Sequence, residues 1–173
     1  MSGLRTPRLR LRSWADADVG AYSAITSDPE VMRHFPRRLT AAEAAVQVER
    51  FRAHEAAYGF TQWVAADRRT GTLLGRIGLL HQPDFTPEPG AVEVGWMLAR
   101  DHWGAGLATE GATACLRFAF ERLGLPRVIS LTTPANLRSL AVMRRLGMEP
   151  AGRTRWRGQP HLWCAVEAQA DRG

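Results

Sequence analysis

The feature that most constrains this chain is a strand that runs almost directly into two glycines and then a helix. AVEVGWML (91–98) has the β-branched and aromatic make-up of a strand, and DHWGAGLATEG (101–111) follows it. Glycine weakens regular structure, so Gly104 and Gly106 mark a special backbone shape or a close approach. The first N–H groups of the helix beyond them have no intrahelical partner and point at one spot. The helix dipole adds positive potential there, which makes the layout an anion site. Each charge-assisted bond contributes roughly 1.5–3 kcal/mol, so a few together hold a pyrophosphate. A plain tight turn would use the same glycines. The spacing matches neither the Gly-x-Gly-x-x-Gly of dinucleotide folds nor the Gly-Lys-Ser/Thr of a P-loop.

The rest of the chain supplies alternating strands and helices. LRLRSW (9–14) reads as a half-exposed strand, Asp16 to Ile25 as a helix, and DPEVMRHF (28–35) as a short second helix stopped by Pro36. Thr40 and Glu43 form a capping box for a helix reaching about Tyr58 and ending at Gly59. FTQWVAAD (60–67) and TLLGRIGLLH (72–81) read as a hairpin around RRTG. PDFTPEPG (83–90) is a Pro-rich loop. After the glycines comes a helix from Leu107 to about Leu123, then the strand RVISLTT (127–133) and a helix from Leu137 to Leu146. GRTRW and HLWCAVE close the chain as a hairpin around RGQP. The pattern predicts a mixed α/β (α+β) sheet with helices on its faces.

At 173 residues with 45% apolar content, one domain spanning 1–173 is expected. No apolar run is long enough for a membrane span, and MSGLRTPRLRLRSW lacks the apolar segment of a secretory signal, so the reading is cytoplasmic. All 23 basic residues are arginine, and the formal charge is +6. That charge favours an anionic ligand. The arginines are scattered without a basic–aromatic motif, so nucleic-acid binding is the weaker reading. Cys115 and Cys164 fall in helix and strand patterns without a metal-ligand spacing and read as buried free thiols. No metal is expected.

EVGWML…DHWGAGLATEGA followed by RVISLTTPANLRSLAVMRRLGMEPAGR resembles the GNAT superfamily of acyl-CoA-dependent N-acetyltransferases. TPRLRLRSWADAD and DPEVMRHF resemble its RimJ/RimL branch, the ribosomal-protein N-terminal acetyltransferases. The resemblance covers about Leu4 to Glu167. It implies a mostly antiparallel twisted sheet of about seven strands with a splayed central pair, and acetyl-CoA as co-substrate. The family's Arg/Gln-x-x-Gly-x-Gly/Ala loop falls on Trp103, Gly104, Ala105, Gly106, Leu107 and Ala108, with Thr109 next, and implies that their amides hold the pyrophosphate of coenzyme A. Trp103 replaces the usual Arg or Gln. Met97 and Leu98 are implied to offer an N–H to the thioester carbonyl, and pantetheine to slot beside their strand. Asn136 and Ser139 match the family's Asn-x-x-Ser, which implies Asn136 on the pantetheine arm and Ser139 near the sulfur. Asn136 is equally a helix cap.

Transfer to an amine requires that amine to be neutral. At pH 7, deprotonation costs roughly 4.6 kcal/mol for a lysine-like amine and about 1.4 for an α-amine. Glu93 is the candidate base. Alternation puts it opposite Val92 and Val94, and the family puts its strand beside the acyl group; a solvated glutamate is the other reading. Many relatives carry a Tyr four residues after the Ser position, and here Met143 stands there. Ser139, water or unaided departure is left to deal with the thiolate. His34, Phe35, Trp63, Trp96 and Trp163 are candidates to line the acceptor pocket, against the ordinary core role of aromatics. Arg144 and Arg145 are either contacts to the 3′-phosphate or a solvated helix face. The expected function is acetyl transfer by direct attack, most readily to a peptide or protein N-terminus. A small amine (polyamine, antibiotic or amino acid) and a non-catalytic acyl-CoA-binding domain are the alternatives. Monomer and homodimer are both compatible with the sequence.

Overall fold

The computed structural model describes residues 3–169. Residues 1, 2 and 170–173, the ends of the expected domain, lie outside the described residues. The strands are β1 (Leu4–Arg5), β2 (Leu9–Arg12), β3 (Gln62–Asp67), β4 (Leu73–Gln82), β5 (Ala91–Leu98), β6 (Arg127–Thr132), β7 (Glu149–Trp156) and β8 (Gln159–Glu167). The helices are α1 (Asp18–Ser27), α2 (Ala41–Tyr58), α3 (Leu107–Glu121) and α4 (Leu137–Arg145). One eight-stranded sheet has the order β1-β2-β3-β4-β5-β6-β8-β7. Every neighbouring pair is antiparallel except β5 and β6. The strand beyond the expected seven is β1, whose two residues are too short to show periodicity.

Alternation along the strands sorts the core into two faces. Leu9, Leu11, Ala65, Ile77, Leu79, Val92 and Val94 pack under α3 with Ala112, Cys115 and Ala119. Val64, Ala66 and Met97 point the other way, into a layer formed by α1 and α2. Trp14 anchors that layer. Its ring lies 4.8 Å from Tyr22 and 5.5 Å from Phe51, and its indole N–H donates to the Gln62 carbonyl at 2.7 Å. The expected capping box forms at α2, with the Thr40 hydroxyl accepting from the Glu43 amide and Glu43 accepting from the Thr40 amide.

One expected element does not form. DPEVMRHF is a run of turns, not a helix. The Asp28 carboxylate accepts from the Glu30 and Val31 amides at 2.7 and 3.2 Å, which fixes a turn. Pro29 and Pro36 bracket a segment too short to offset helix nucleation. Val31 and Met32 are buried in the α1–α2 layer, and the segment is held as an ordered loop over the sheet. The last hairpin is also longer than expected: β7 begins at Glu149, and the turn is only Arg157–Gly158.

Candidate active site

The strands β5 and β6 meet at a single registered pair, Glu93 with Ile129. Beyond it they part, and Gly95–Leu98 and Ser130–Thr132 line opposite sides of a cavity of about 1250 Å³. This is the splayed pair implied by the resemblance. The cavity runs from the α3 N-terminus, past the start of α4, to the layer under α1 and α2.

At one end the cavity is walled by backbone. Gly104 and Gly106 have φ of 75° and 77°, where a side chain is strained, and a Cβ on Gly104 would meet no atom within 4 Å. Gly106 is the N-cap of α3 and has no side-chain cap bond, so the first amides of α3 stay free toward this opening. Arg8 ties the loop down by donating to the Ala105 carbonyl at 2.8 Å and to Glu110 at 2.6 Å. Burial alone would raise the Glu110 acid. Its bonds from Thr6 and Arg8 win, and it is held below the usual range, a charge neutralised locally by Arg8. Trp103 brings no cation. Its indole donates to the Leu98 carbonyl at 2.9 Å, and the Arg138 guanidinium stacks 4.5 Å from its ring. Arg138 lines the cavity and returns a positive charge to the place where relatives carry Arg or Gln. Sequence reading missed it, because the helix position alone does not reveal that α4 lies across Trp103.

At α4, Asn136 Oδ1 accepts from the Ser139 amide at 3.2 Å. That is a helix cap, and both side chains also line the cavity. Arg145 reaches the cavity, and Arg144 is exposed outside it. Met143 is buried to 1% in the α3-side core, and the cavity-lining neighbour is Val142. The position of the relatives' Tyr is therefore a packing position here.

The other end is built from side chains on three strands. Gln62, Arg76, Gln82 and Glu93 project from β3, β4 and β5 onto the α1–α2 face. Gln82 Nε2 donates to Glu93 Oε2 at 2.5 Å. Burial, the largest influence, pushes the Glu93 carboxyl above the ordinary carboxylate range. The Gln82 bond, the charges of Arg76 and Arg157 and the Leu131 amide pull it back without cancelling the rise. Glu93 is thus a half-buried carboxylate that lines the cavity, not a fully solvated one. His34 and Phe35 line the same end from the 28–39 loop, with His34 Nδ1 3.4 Å from the Thr133 hydroxyl. Burial first, then the charge of Arg33, lowers the His34 pKa and keeps its ring neutral at pH 7.

Several expected site residues lie elsewhere or act differently. Trp63 is buried on the α3 face, 5.7 Å edge-on to Phe118, and donates to Glu55; it does not line the cavity. The single-residue alternation of β3 turns Gln62, not Trp63, toward the site. Trp163 packs on Phe85 at 5.5 Å behind β6. Trp96 reaches the cavity with its body against the α3-side core. Ala105 contributes its carbonyl to Arg8 and does not line the cavity. Ala99 donates to Leu74 on β4. Alternation along an antiparallel pair turns the Met97 amide the same way, so the amides facing the gap are those of Trp96 and Leu98. Cys115 and Cys164 are free and buried, burial raises both thiols, and neither lines the cavity.

A strand pair that opens beside an uncapped helix start, with a half-buried carboxylate at the fork, is the arrangement that the resemblance to acyl-CoA-dependent transferases implies. The family described as "Acetyltransferase (GNAT) domain" matches residues 8–149, and the chain belongs to it: it is a GNAT N-acetyltransferase that uses acetyl-CoA. An uncharacterised Bacillus subtilis protein, YkkB, is 34% identical over 84% of each chain. The FsC-acetyl coenzyme A-N(2)-transacetylase of Aspergillus fumigatus is 34% identical over 84% of this chain and 64% of its own length. An Agrobacterium tumefaciens acetyltransferase structure superposes with a TM-score of 0.84 at 31% identity, covering 96% of this chain and 95% of that one. RimL, the ribosomal L7/L12 α-N-protein acetyltransferase solved with coenzyme A, shares the fold with a TM-score of 0.78 at 16% identity, covering 96% and 97%. No helix among the described residues is long and apolar enough to cross a membrane.

Proposed function

We propose that the protein acetylates an α-amino group, with Glu93 as the general base. The observation that carries this reading is the half-buried Glu93 carboxylate lining the cavity at the point where β5 and β6 part. Its raised pKa makes it a stronger base near neutrality than a surface glutamate. An α-amine needs only about 1.4 kcal/mol of deprotonation at pH 7, which suits a carboxylate better than a lysine-like amine does. The acetyl donor fits the other end: the amides from Gly104 to Thr109, with Arg138 beside them, would hold its pyrophosphate, and Asn136 would hold its pantetheine arm. The donor supplies the activated thioester. The amine nitrogen forms its bond to the carbonyl carbon as the carbon–sulfur bond breaks. Glu93 receives the amine proton, the Leu98 or Trp96 amide steadies the carbonyl oxygen, and Ser139 stands ready to protonate the thiolate. Both thiols lie in the core, which favours direct attack over a covalent enzyme intermediate.

A peptide N-terminus and a small α-amine both meet this description. The small amine is favoured by the depth of the Arg76–Gln62 end and by the name of the Aspergillus relative, which acts at an N(2) position. Mass spectrometry of acetyl-CoA reactions with N-terminal peptides, amino acids, polyamines and aminoglycosides tests the proposal. Acetylation at α-amines is expected. Transfer confined to polyamines or aminoglycosides would discard the α-amine assignment, and no transfer to any amine would discard Glu93 as a base for amine attack.

A further inference from the structure

The acceptor end of the cavity contains a buried arginine that makes no direct ion pair among the described residues, although its charge is felt by Glu93 further along the same face. Arg76 is 8% exposed, and among the described residues no carboxylate lies within ion-pair distance of it. Its Nε donates to the Tyr22 hydroxyl at 3.1 Å, Tyr22 donates on to Gln47, and the guanidinium lies 5.6 Å from the Phe51 ring. Those contacts fix the guanidinium plane, and among the described residues its two terminal nitrogens have no protein acceptor. Buried arginines are ordinarily paired, and the fork of an arginine fits a carboxylate in a bidentate arrangement.

A second polar group beside it is also without a partner. Gln62 is 3% exposed and lines the cavity, and its Oε1 has no hydrogen bond. Its carboxamide crosses the sheet over Gly78 and lies on Gly95, where a Cβ would sit 2.4 Å from Nε2. Without glycine at 78 and 95 this reach is closed. The sheet register orders the three groups: Arg76 stands level with Met97, Gln62 with Gly95, and Glu93 is next along the same face. Arg76 and Glu93 are four residues apart in register, about 13 Å between backbone positions at ~3.3 Å per residue. Both side chains line the cavity.

We infer that the acceptor amine carries a carboxylate, bound by Arg76, with the Gln62 carboxamide lying between that carboxylate and Glu93. The acceptor class is then a free α-amino acid or a close derivative, and polyamines are excluded by the Arg76 charge. This rests on the acetyl-transfer reading for its chemistry but not for its binding geometry. An acidic side chain at a peptide N-terminus offers the same carboxylate, and the test separates the two.

Amino acids are compared with their carboxamides, and peptides headed by Asp or Glu and amidated at the C-terminus with the same peptides headed by Asn or Gln. kcat/KM is expressed per unprotonated amine. In the wild-type protein the free amino acids are expected to exceed their amides by ~10–100-fold, the range of a desolvated charge-assisted pair. The preference should collapse toward unity in Arg76→Gln and survive in part in Arg76→Lys. Calorimetry on the wild-type complex with coenzyme A reads the same preference as binding, without turnover and without a variant. Equal use and equal binding of acids and amides would overturn the assignment, as would a folded Arg76→Gln that keeps the preference or loses only coenzyme A affinity. Preference confined to acid-headed peptides moves the carboxylate to a side chain and overturns the free-amino-acid class. Selective binding of acids with no acetyl transfer to them would sink the proposed α-amine reading and leave Arg76 in place.

Discussion

The two ends of the cavity are made of different materials. The donor end is backbone: Gly104, Gly106 and the opening turn of α3, contiguous in sequence and free of side-chain caps. The acceptor end is side chain: Gln62, Arg76, Gln82 and Glu93, gathered from three strands and covered by Tyr22 and Phe51. Backbone amides offer dipoles whose aim is set by the chain path, so almost any residue at Leu107 or Ala108 serves the same anion. Side chains offer charge and shape, so a single exchange on β4 can change what is bound. That difference is what the proposed reading uses in giving a shared donor to one end and a selected acceptor to the other.

The sharpest way to break that division is Glu93→Gln. General-base help is worth ~10²–10⁴-fold, so turnover at neutral pH should fall by about that much, with recovery in alkali as the amine loses its own proton. Wild-type rates across the pH range would remove Glu93 from the chemistry. The same substitution has a stability signature of fixed sign. The folded Glu93 pKa lies above its unfolded value of 4.5, so its stabilising contribution is complete below about 4.5 and is lost as pH rises through the folded pKa. Glu93→Gln should therefore melt higher than wild type at pH 7–8 and lose that advantage near pH 4. A lower melting temperature at pH 8 would show that Glu93 is structural.

Gly106→Val tests the backbone end. Losing even one charge-assisted amide contact, ~1.5–3 kcal/mol, should weaken coenzyme A at least about tenfold. A non-glycine residue at φ 77° adds roughly 1–2 kcal/mol of strain, so the variant should also be measurably less stable. Calorimetry on the folded variant reads both ends at once: amino-acid binding kept and coenzyme A lost supports the division, and unchanged coenzyme A affinity removes the amide cradle.

Ser139→Ala should have a smaller effect, about tenfold in kcat or roughly 1.4 kcal/mol. The α4 cap uses the Ser139 amide and Asn136 Oδ1, so the hydroxyl is free to be removed without fraying the helix. A loss of coenzyme A affinity with kcat intact would make Ser139 a binding residue and leave the thiolate to water. Replacing Met143 with Tyr is not the rescue that the sequence suggests, since that side chain fills the core. Arg138→Ala should be the mildest change. A surface guanidinium that assists phosphate contributes up to ~1 kcal/mol, so a rise of several-fold in the coenzyme A Kd is expected, steeper at low salt. No change at low ionic strength would leave the donor end purely backbone.

The sequence was most legible where a local rule decides the structure. The capping box at Thr40 and Glu43, the strand over 91–98 and the glycine loop into α3 depend on neighbours a few residues away, and each forms where the pattern placed it. The family resemblance singled out Glu93, Asn136 and Ser139, and all three line the cavity. Reading failed where a longer-range contact decides. The 28–35 segment has helical spacing, but Pro29, the Asp28 turn and the burial of Val31 and Met32 hold it as a loop. Trp63 and Gln62 are adjacent, and only the register with β4 tells which of them faces the site. Nothing local distinguishes Arg76 from the other arginines, because its significance lies in being buried without a carboxylate beside it. By itself the sequence determined the backbone of the proposed donor end, since a chain that must turn through positive φ into a helix start writes that turn in glycines. The tertiary structure alone decided the acceptor end, since the burial, pairing and spacing of Gln62, Arg76 and Glu93 exist only after β3, β4 and β5 align.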